Sequence, residues 1–275
     1  MKPAPSFPPL PAIAAPHRFR LGVPSYVYPA DILPNVEALA PCVDDIEIVL
    51  FESNALNPLP SAQTIVQLCE LATEHDLTYT IHLPIDRKLG SPDRAERIAQ
   101  QKEILKIMAL TGPLNPFAYI LHLEGVEPST DIASLKTWQE NIAALLPALV
   151  NQAQDPSRIC VENLFYPFGW CDPLLERFGL GSCLDTGHLA LAGGDLDRHF
   201  RRYADRIRVI HLHGSKDGKD HLPLTVMPDA WLGRFLNSID NFTGVLTLEL
   251  FDFEALCLSM EKLSQGLARC GCKLK

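Results

Sequence analysis

No stretch of this chain approaches the ~18 consecutive apolar residues of a membrane span, because proline and polar residues interrupt each hydrophobic run. The opening "MKPAPSFPPLPAIAAPHRF" lacks the continuous apolar centre of a signal peptide and is read as an extended, proline-rich arm over residues 1–16. Basic residues are in deficit: 24 Lys and Arg stand against 33 Asp and Glu, for a net charge of −9. That balance excludes a surface built to neutralise nucleic-acid phosphates, though not a locally basic pocket for a small anion. A glycine-rich phosphate loop is also missing after the first strand-like run, which argues against a dinucleotide-binding open sheet.

Cysteine is not scarce, at eight residues, but several lie inside apolar runs such as "RICVENL" and "SCLDTG". There a free thiol behaves as a small hydrophobe, and a reducing cytoplasm is the expected compartment. The terminal Cys270-Gly-Cys272 pair lacks a partner pair and is not taken as a metal site.

What is present is a repeat of short β-type runs and helical connections. The runs fall near 20–28, 45–52, 78–84, 118–125, 158–165, 181–188, 206–214 and 244–251. Most are continuous Val/Ile/Leu segments, the pattern of parallel strands covered on both faces. Between them lie helix signals: Ser61 as a cap with Ile65, Leu68, Cys69 and Ala72 at helical spacing, then Ser91 as a cap before Pro92 with a stop at Gly112. Eight strands alternating with helices over about 250 residues predict a single (β/α)8 barrel spanning residues 17–275.

The strand ends carry the chemistry. "IHLP" ends in His82, "LHLEG" carries His122, "VEN" carries Glu162, "LDTGH" offers Asp185 and His188, "HLHGS" offers His211 and His213, and "LELF" carries Glu249. The loop "KDGKDHLPL" adds Asp220 and His221. One histidine in an apolar strand is more often a hydrogen-bonded core residue than a ligand, and Asp185 alone could simply cap a turn. Six successive strands ending in imidazole or carboxylate are different, because a barrel brings those ends to one mouth. Converging like charges repel, and a divalent cation such as Zn²⁺ or Mn²⁺ is the economical remedy. His17, His75 and His199 fall outside the set and are expected at the surface. Glu52 also ends a strand and is expected either to bind substrate or to form a buried ion pair.

These motifs, in this order, resemble the xylose isomerase-like barrel superfamily, which includes sugar isomerases and epimerases and the endonuclease IV type of enzyme. The resemblance implies a four-ligand ion site at Glu162, Asp185, His211 and Glu249, and it favours His211 over His213. Endonuclease-type members add ligands that match His82 and His122 for one ion, with Glu162 bridging, and His188 and His221 for another. One to three ions per chain are thus implied, with Glu162, Glu249 and His188 in catalytic roles. The fuller ligand set favours phosphodiester hydrolysis over sugar isomerisation. One departure stands out: Lys219 occupies the position where that pattern has Asp, and Asp220 is adjacent.

More narrowly, "LGVPSYVYPADILPNVEALAPCVDDIEIVLFE" and "HLHG…KDHLPL" resemble cobamide-remodelling phosphodiesterases. That likeness implies cleavage of the nucleotide loop of coenzyme B12-type cobamides to cobinamide phosphate and an α-riboside, with no nucleic-acid or membrane partner. The aromatic loop "NLFYPFGW" offers Phe165, Tyr166, Phe168 and Trp170 either to stack on the large flat substrate, with Tyr166 and Trp170 as the binding candidates, or to pack the loop itself. Lys216 and Lys219, with Arg87 and Lys88, are candidates to meet phosphate charge. Sugar isomerisation or epimerisation around a single ion is the alternative, and a non-catalytic corrinoid-binding barrel a third.

Overall fold

The computed structural model describes residues 7–13, 15–50, 59–127 and 129–271. Eight parallel strands close into a barrel: Arg20–Pro24 (β1), Asp45–Val49 (β2), Thr78–His82 (β3), Ala118–Leu121 (β4), Ile159–Glu162 (β5), Gly181–Asp185 (β6), Ile207–Leu212 (β7) and Val245–Leu248 (β10). They pair in sequence order around the ring, and β10 closes it against β1. The expected (β/α)8 barrel is what the chain forms. A small antiparallel hairpin, Gly214–Lys216 (β8) and Lys219–Leu222 (β9), stands apart from the barrel sheet.

Strand alternation sorts the residues into two cores. Ile46, Ile48, Tyr79, Ile81, Tyr119, Leu121, Val161, Leu184, Ile210, Leu212, Leu246 and Leu248 join the main core under the helices. The opposite phase supplies a separate small cluster of Ala118, Ile120, Cys160, Cys183, Val209 and Val245, which plugs the barrel interior. Moving two positions along each strand from this inner layer reaches His122 from Ile120, Glu162 from Cys160, Asp185 from Cys183 and His211 from Val209. The same step leads from Thr80 to His82, from Thr247 to Glu249 and from Asp45 to Glu47. The plug, with Asp45, Thr80 and Thr247 beside it, thus forms the floor, and the titratable groups form the layer above it.

Helices cover the outside: Ile32–Leu39 (α1), Ala62–His75 (α2), Arg94–Thr111 (α3), Ile132–Ala153 (α4), Asp172–Phe178 (α5), Thr186–Leu191 (α6), Leu196–Tyr203 (α7), Asp229–Ser238 (α8) and Phe253–Cys270 (α9). Ser61 caps α2 by accepting the Thr64 N–H at 3.1 Å, as its sequence position predicts. For α3 the expectation is corrected. Asp93, not Ser91, is the cap, and Ser91 instead donates to the Glu96 carboxylate and accepts the Asp93 N–H. The described part of the arm lies on the barrel, with Phe7 stacked on Tyr28, whose hydroxyl donates to the Pro8 carbonyl at 2.6 Å, and with Leu10 buried. Among the described residues, no helix is long and apolar enough to cross a membrane.

Candidate metal centre

Glu162 stands at the middle of the mouth. Its Oε2 lies 2.9 Å from His122 Nε2 and 3.4 Å from His82 Nε2, and its Oε1 lies 3.2 Å from His188 Nδ1 and 3.7 Å from His211 Nδ1. One carboxylate therefore faces two imidazoles on each side. Burial disfavours its ionised form, yet the His122 and His211 imidazoles overcome this and hold it well below the usual carboxylate range.

Asp185 performs two tasks with its two oxygens. Oδ1 accepts the His188 N–H at 2.6 Å and starts α6, while Oδ2 lies 3.0 Å from His213 Nε2 and 3.9 Å from His211 Nδ1. The capping reading and the site reading are both satisfied. The end of β6 is fixed to the end of β5 by a reciprocal pair: Asn163 Nδ2 donates to the Asp185 carbonyl at 2.9 Å, and the Asp185 N–H donates to Asn163 Oδ1 at 2.8 Å.

His211 is held from below by a carboxylate outside the sequence-predicted set. Its Nε2 lies 2.8 Å from Glu47 Oε2, and both side chains are fully buried. A carboxylate there fixes the proton on Nε2 and turns the Nδ1 lone pair upward. That Nδ1 has no hydrogen-bond partner and sits 3.1 Å from Glu249 Oε2, itself buried without a hydrogen bond. A buried imidazole nitrogen and a buried carboxylate oxygen facing each other, neither with a hydrogen bond, fit a shared cation. Glu249 also faces His221 Nε2 at 3.4 Å, and His211 above all holds it well below its ordinary range against the opposing effect of burial.

Donor atoms within 4.8 Å of one another form overlapping sets: His82, His122 and Glu162; Glu162, Asp185 and His188; Glu47, His82, His211 and Glu249; and His213, His221 and Glu249. Imidazole nitrogen and carboxylate oxygen suit Zn²⁺, Mn²⁺ and similar ions, so the residues present fit such a group. Cys183 also approaches Glu162 and His211, but burial pushes its thiol well above the ordinary range, and it serves as part of the plug. Burial opposes protonation of His82 and His188, but the surrounding carboxylates win, raising them to about 9 and about 10.

The hairpin closes one side. Asp217 and Gly218, both at positive φ, make its turn, and His221 adopts φ 50°. The His221 ring stacks on His213 with centroids 4.3 Å apart, and the His221 backbone N–H donates to His213 Nδ1 at 2.9 Å. Asp220 lies between His188 Nε2, at 3.5 Å, and His221 Nδ1, at 3.2 Å. Asp220, next to Lys219, thus faces both of these imidazoles. His213 couples the hairpin to Asp185.

Other sequence-predicted residues lie elsewhere. Lys216 and Lys219 flank the hairpin turn, exposed, and Arg87 sits beside Asp86. Tyr166 is buried with its hydroxyl donating to the Leu123 carbonyl at 3.1 Å, stacked on half-buried Trp170 and edge-on to Trp138. Both therefore hold the loop together, and the aromatic presented to the centre is Phe165, 52% exposed and 4.8 Å from the His188 ring. Glu52 lies outside the described residues, as does Cys272.

His199 corrects the sequence expectation: it is buried, not at the surface. Its helix presents Leu196, His199, Phe200 and Tyr203 on one face, and the charges that flank it in sequence point away. Glu47 was also missed, although the alternation Asp45, Glu47, Val49 within "DIEIV" places it inside.

Residues 43–269 match a family described as the xylose isomerase-like TIM barrel. A search of curated proteins finds no match. Among solved structures, a D-tagatose 3-epimerase-like protein superposes with a TM-score of 0.75 at 20% identity, over 94% of this chain and 100% of that one. Endonuclease IV from Thermus thermophilus gives 0.67 at 20% identity, over 91% and 99%. D-psicose 3-epimerase from Clostridium cellulolyticum gives 0.66 at 14% identity, over 92% and 98%. At these identities the likeness is one of fold.

Proposed function

The chain belongs to the xylose isomerase-like TIM-barrel family, and from that premise we propose that it is a metal-dependent phosphodiesterase. Its proposed substrate is the nucleotide-loop phosphodiester of a cobamide, cleaved to cobinamide phosphate and an α-riboside of the lower base. The observation that supports hydrolysis is the sharing of Glu162: Oε2 serves His82 and His122, while Oε1 serves His188 and His211. A single-ion isomerase has no use for the outer imidazoles. The substrate assignment rests on the resemblance of the segments that hold β1, β2 and the hairpin.

In this reading His82, His122, Glu162, Asp185, His188, His211, His221 and Glu249 hold the ions, with Asp220 reaching the His188–His221 side. Divalent ions so placed supply the Lewis acidity that makes water nucleophilic at neutral pH and offsets phosphate charge. The protein's own groups do the rest. Glu249 Oε2 would hold an ion together with His211 Nδ1, which puts the Glu249 carboxylate in contact with the water that ion would activate. Glu47 keeps the His211 proton on Nε2 and so preserves the Nδ1 lone pair. His188, beside Phe165, marks the side on which the riboside oxygen departs. The plug residues exclude water from below.

One feature favours the alternative, an epimerase: Glu162 and Glu249 both face His211 Nδ1, at 3.7 and 3.1 Å, as two bases flanking one ion would. The deciding experiment incubates metal-replete protein with coenzyme B12 and analyses products by chromatography and mass spectrometry, with metals counted on the same sample. Two or three ions per chain and release of cobinamide phosphate with the riboside are expected. Intact cobamide at full metal loading overturns the proposal, and one ion per chain with epimerised keto-sugar establishes the alternative.

A further inference from the structure

His213 shares a donor set with His221 and Glu249, yet both of its ring nitrogens are already engaged. Nε2 lies 3.0 Å from Asp185 Oδ2, and a carboxylate only accepts, so the imidazole proton sits on Nε2. That leaves a lone pair on Nδ1, and the backbone N–H of His221 donates to it at 2.9 Å. The Gly214 carbonyl, 3.2 Å from the same nitrogen, has no proton to offer, so the His221 N–H is the group that completes Nδ1. The ring is fully buried, and no donor atom is left on it for an ion.

Packing fixes the ring in this pose. The His221 imidazole stacks on it nearly parallel, at 10°. The first turn of α6 lies against it at Gly187, where any Cβ would run into the His213 ring. Strand β8 leaves directly from the end of β7, so the part that must be held is the returning strand β9, which carries Asp220 and His221. His221 has φ 50°, a left-handed backbone uncommon outside glycine, and the N–H bound by His213 belongs to that residue. Other polar contacts between β9 and the centre are of a different kind. His221 Nε2 meets Glu249 Oε2 at 3.4 Å, and Asp220 Oδ2 meets His188 Nε2 at 3.5 Å. Each of these joins two groups that would become ligands, so ion binding would rearrange them. The bond to His213 uses a backbone N–H and takes no donor from the centre.

We propose that His213 is a positioning residue and not a ligand: it anchors the β8–β9 hairpin to Asp185 and so holds Asp220 and His221 over the centre. The barrel sheet does not supply this hold, since the hairpin shares no ladder with it. The connection runs from the end of β6 through one imidazole to one backbone N–H. The inference rests on the proposed metal-centre reading for calling Asp220 and His221 metal-holding groups, and on no assumption about substrate.

The test separates the two bonds. An asparagine amide reaches about as far as Nδ1 and a glutamine amide about as far as Nε2, and either can donate or accept. His213→Asn therefore keeps an acceptor for the His221 N–H, His213→Gln keeps a donor for Asp185, and His213→Phe keeps only the ring. Trypsin digestion of the chelator-treated full chain reads the hairpin, because Lys216 and Lys219 flank its turn and cutting there requires the hairpin to open. Wild type and His213→Asn are expected to be cut there at similar rates, and His213→Gln and His213→Phe about tenfold faster, with the sites identified by mass spectrometry. Visible absorption of the Co²⁺-loaded proteins is the second readout, and the wild-type bands are expected to persist in His213→Asn. Equal cutting of all four proteins overturns the proposal, as does His213→Asn cut as fast as His213→Phe. Co²⁺ bands altered alike in all three variants would make His213 a ligand and overturn it too. Neither readout involves a substrate, so an intact cobamide in the product analysis above removes the phosphodiesterase reading and leaves this result standing.

Discussion

Glu47 and His211 form a fully buried carboxylate–imidazole pair, Oε2 to Nε2 at 2.8 Å, directly beneath the centre of the barrel mouth. The pair fixes which face of the imidazole is a lone pair, and with it whether the centre has a nitrogen donor at all. Glu47→Leu is expected to lower metal content and to cost about 10–100-fold in activity, as loss of a carboxylate behind a metal-binding imidazole commonly does. Glu47→Gln keeps an acceptor and should retain most of both. Metal content measured beside kcat separates this from general damage to the fold. Equal losses in the two variants would refute the role.

Because both oxygens of Glu162 are engaged, its removal should reach further than removal of an outer imidazole. Glu162→Gln is expected to release more metal per chain than His122→Ala, which touches Oε2 alone. Elemental analysis of the two variants after identical loading checks this.

Chelation should lower the thermal midpoint, and added metal should restore it. An ion held at a hundred times its dissociation constant stabilises the native state by about 2.7 kcal/mol. A chelator-treated sample that melts with the metal-replete one would show that the orphaned His211 Nδ1 and Glu249 Oε2 serve something else.

His199 makes acid stability testable away from the centre. Its folded pKa is about 4, below the ordinary 6.5, so the folded state resists the proton that the unfolded chain accepts. Its contribution is complete above pH 6.5 and is lost as pH falls towards 4, by about 3 kcal/mol at the limit. His199→Phe should flatten the stability curve in that window relative to wild type. Urea melts at pH 7.0, 5.5 and 4.5 provide the comparison.

Asn163→Ala leaves the N–H and C=O of Asp185 unpaired in a buried setting, at a cost of about 2–5 kcal/mol. The change should also loosen the cap on α6 and so displace His188. A lower midpoint of urea unfolding together with reduced metal content is the expected signature.

The barrel was legible because its strands read as unbroken apolar runs, and the mouth because imidazoles and carboxylates recur at their ends. Less visible were features that depend on phase or on three-dimensional neighbours. Glu47 sits one strand step inside Val49, where the eye goes instead to Glu52 at the end of the run. His199 lies among Asp and Arg residues, yet the spacing of Leu196, His199, Phe200 and Tyr203 is that of a buried helical face. The Asp217-Gly218 dipeptide signals a hairpin turn, but its two strands are too short to stand out as β runs. For Tyr166 and Trp170 no pattern in the sequence distinguishes rings that pack a loop from rings that face a ligand.

The hairpin β8–β9 shares no ladder with the barrel sheet. Asp220 and His221 therefore ride on a separate part, His188 rides on α6, and the remaining donors stand on or just beyond the ends of the closed ring of strands. The centre has a foundation and a separate wall. Changes of length or composition at Asp217 and Gly218 can retune the wall, or dismantle it, with the foundation still standing. In the proposed reading, the count of ions held at this mouth would then depend on a turn of two residues.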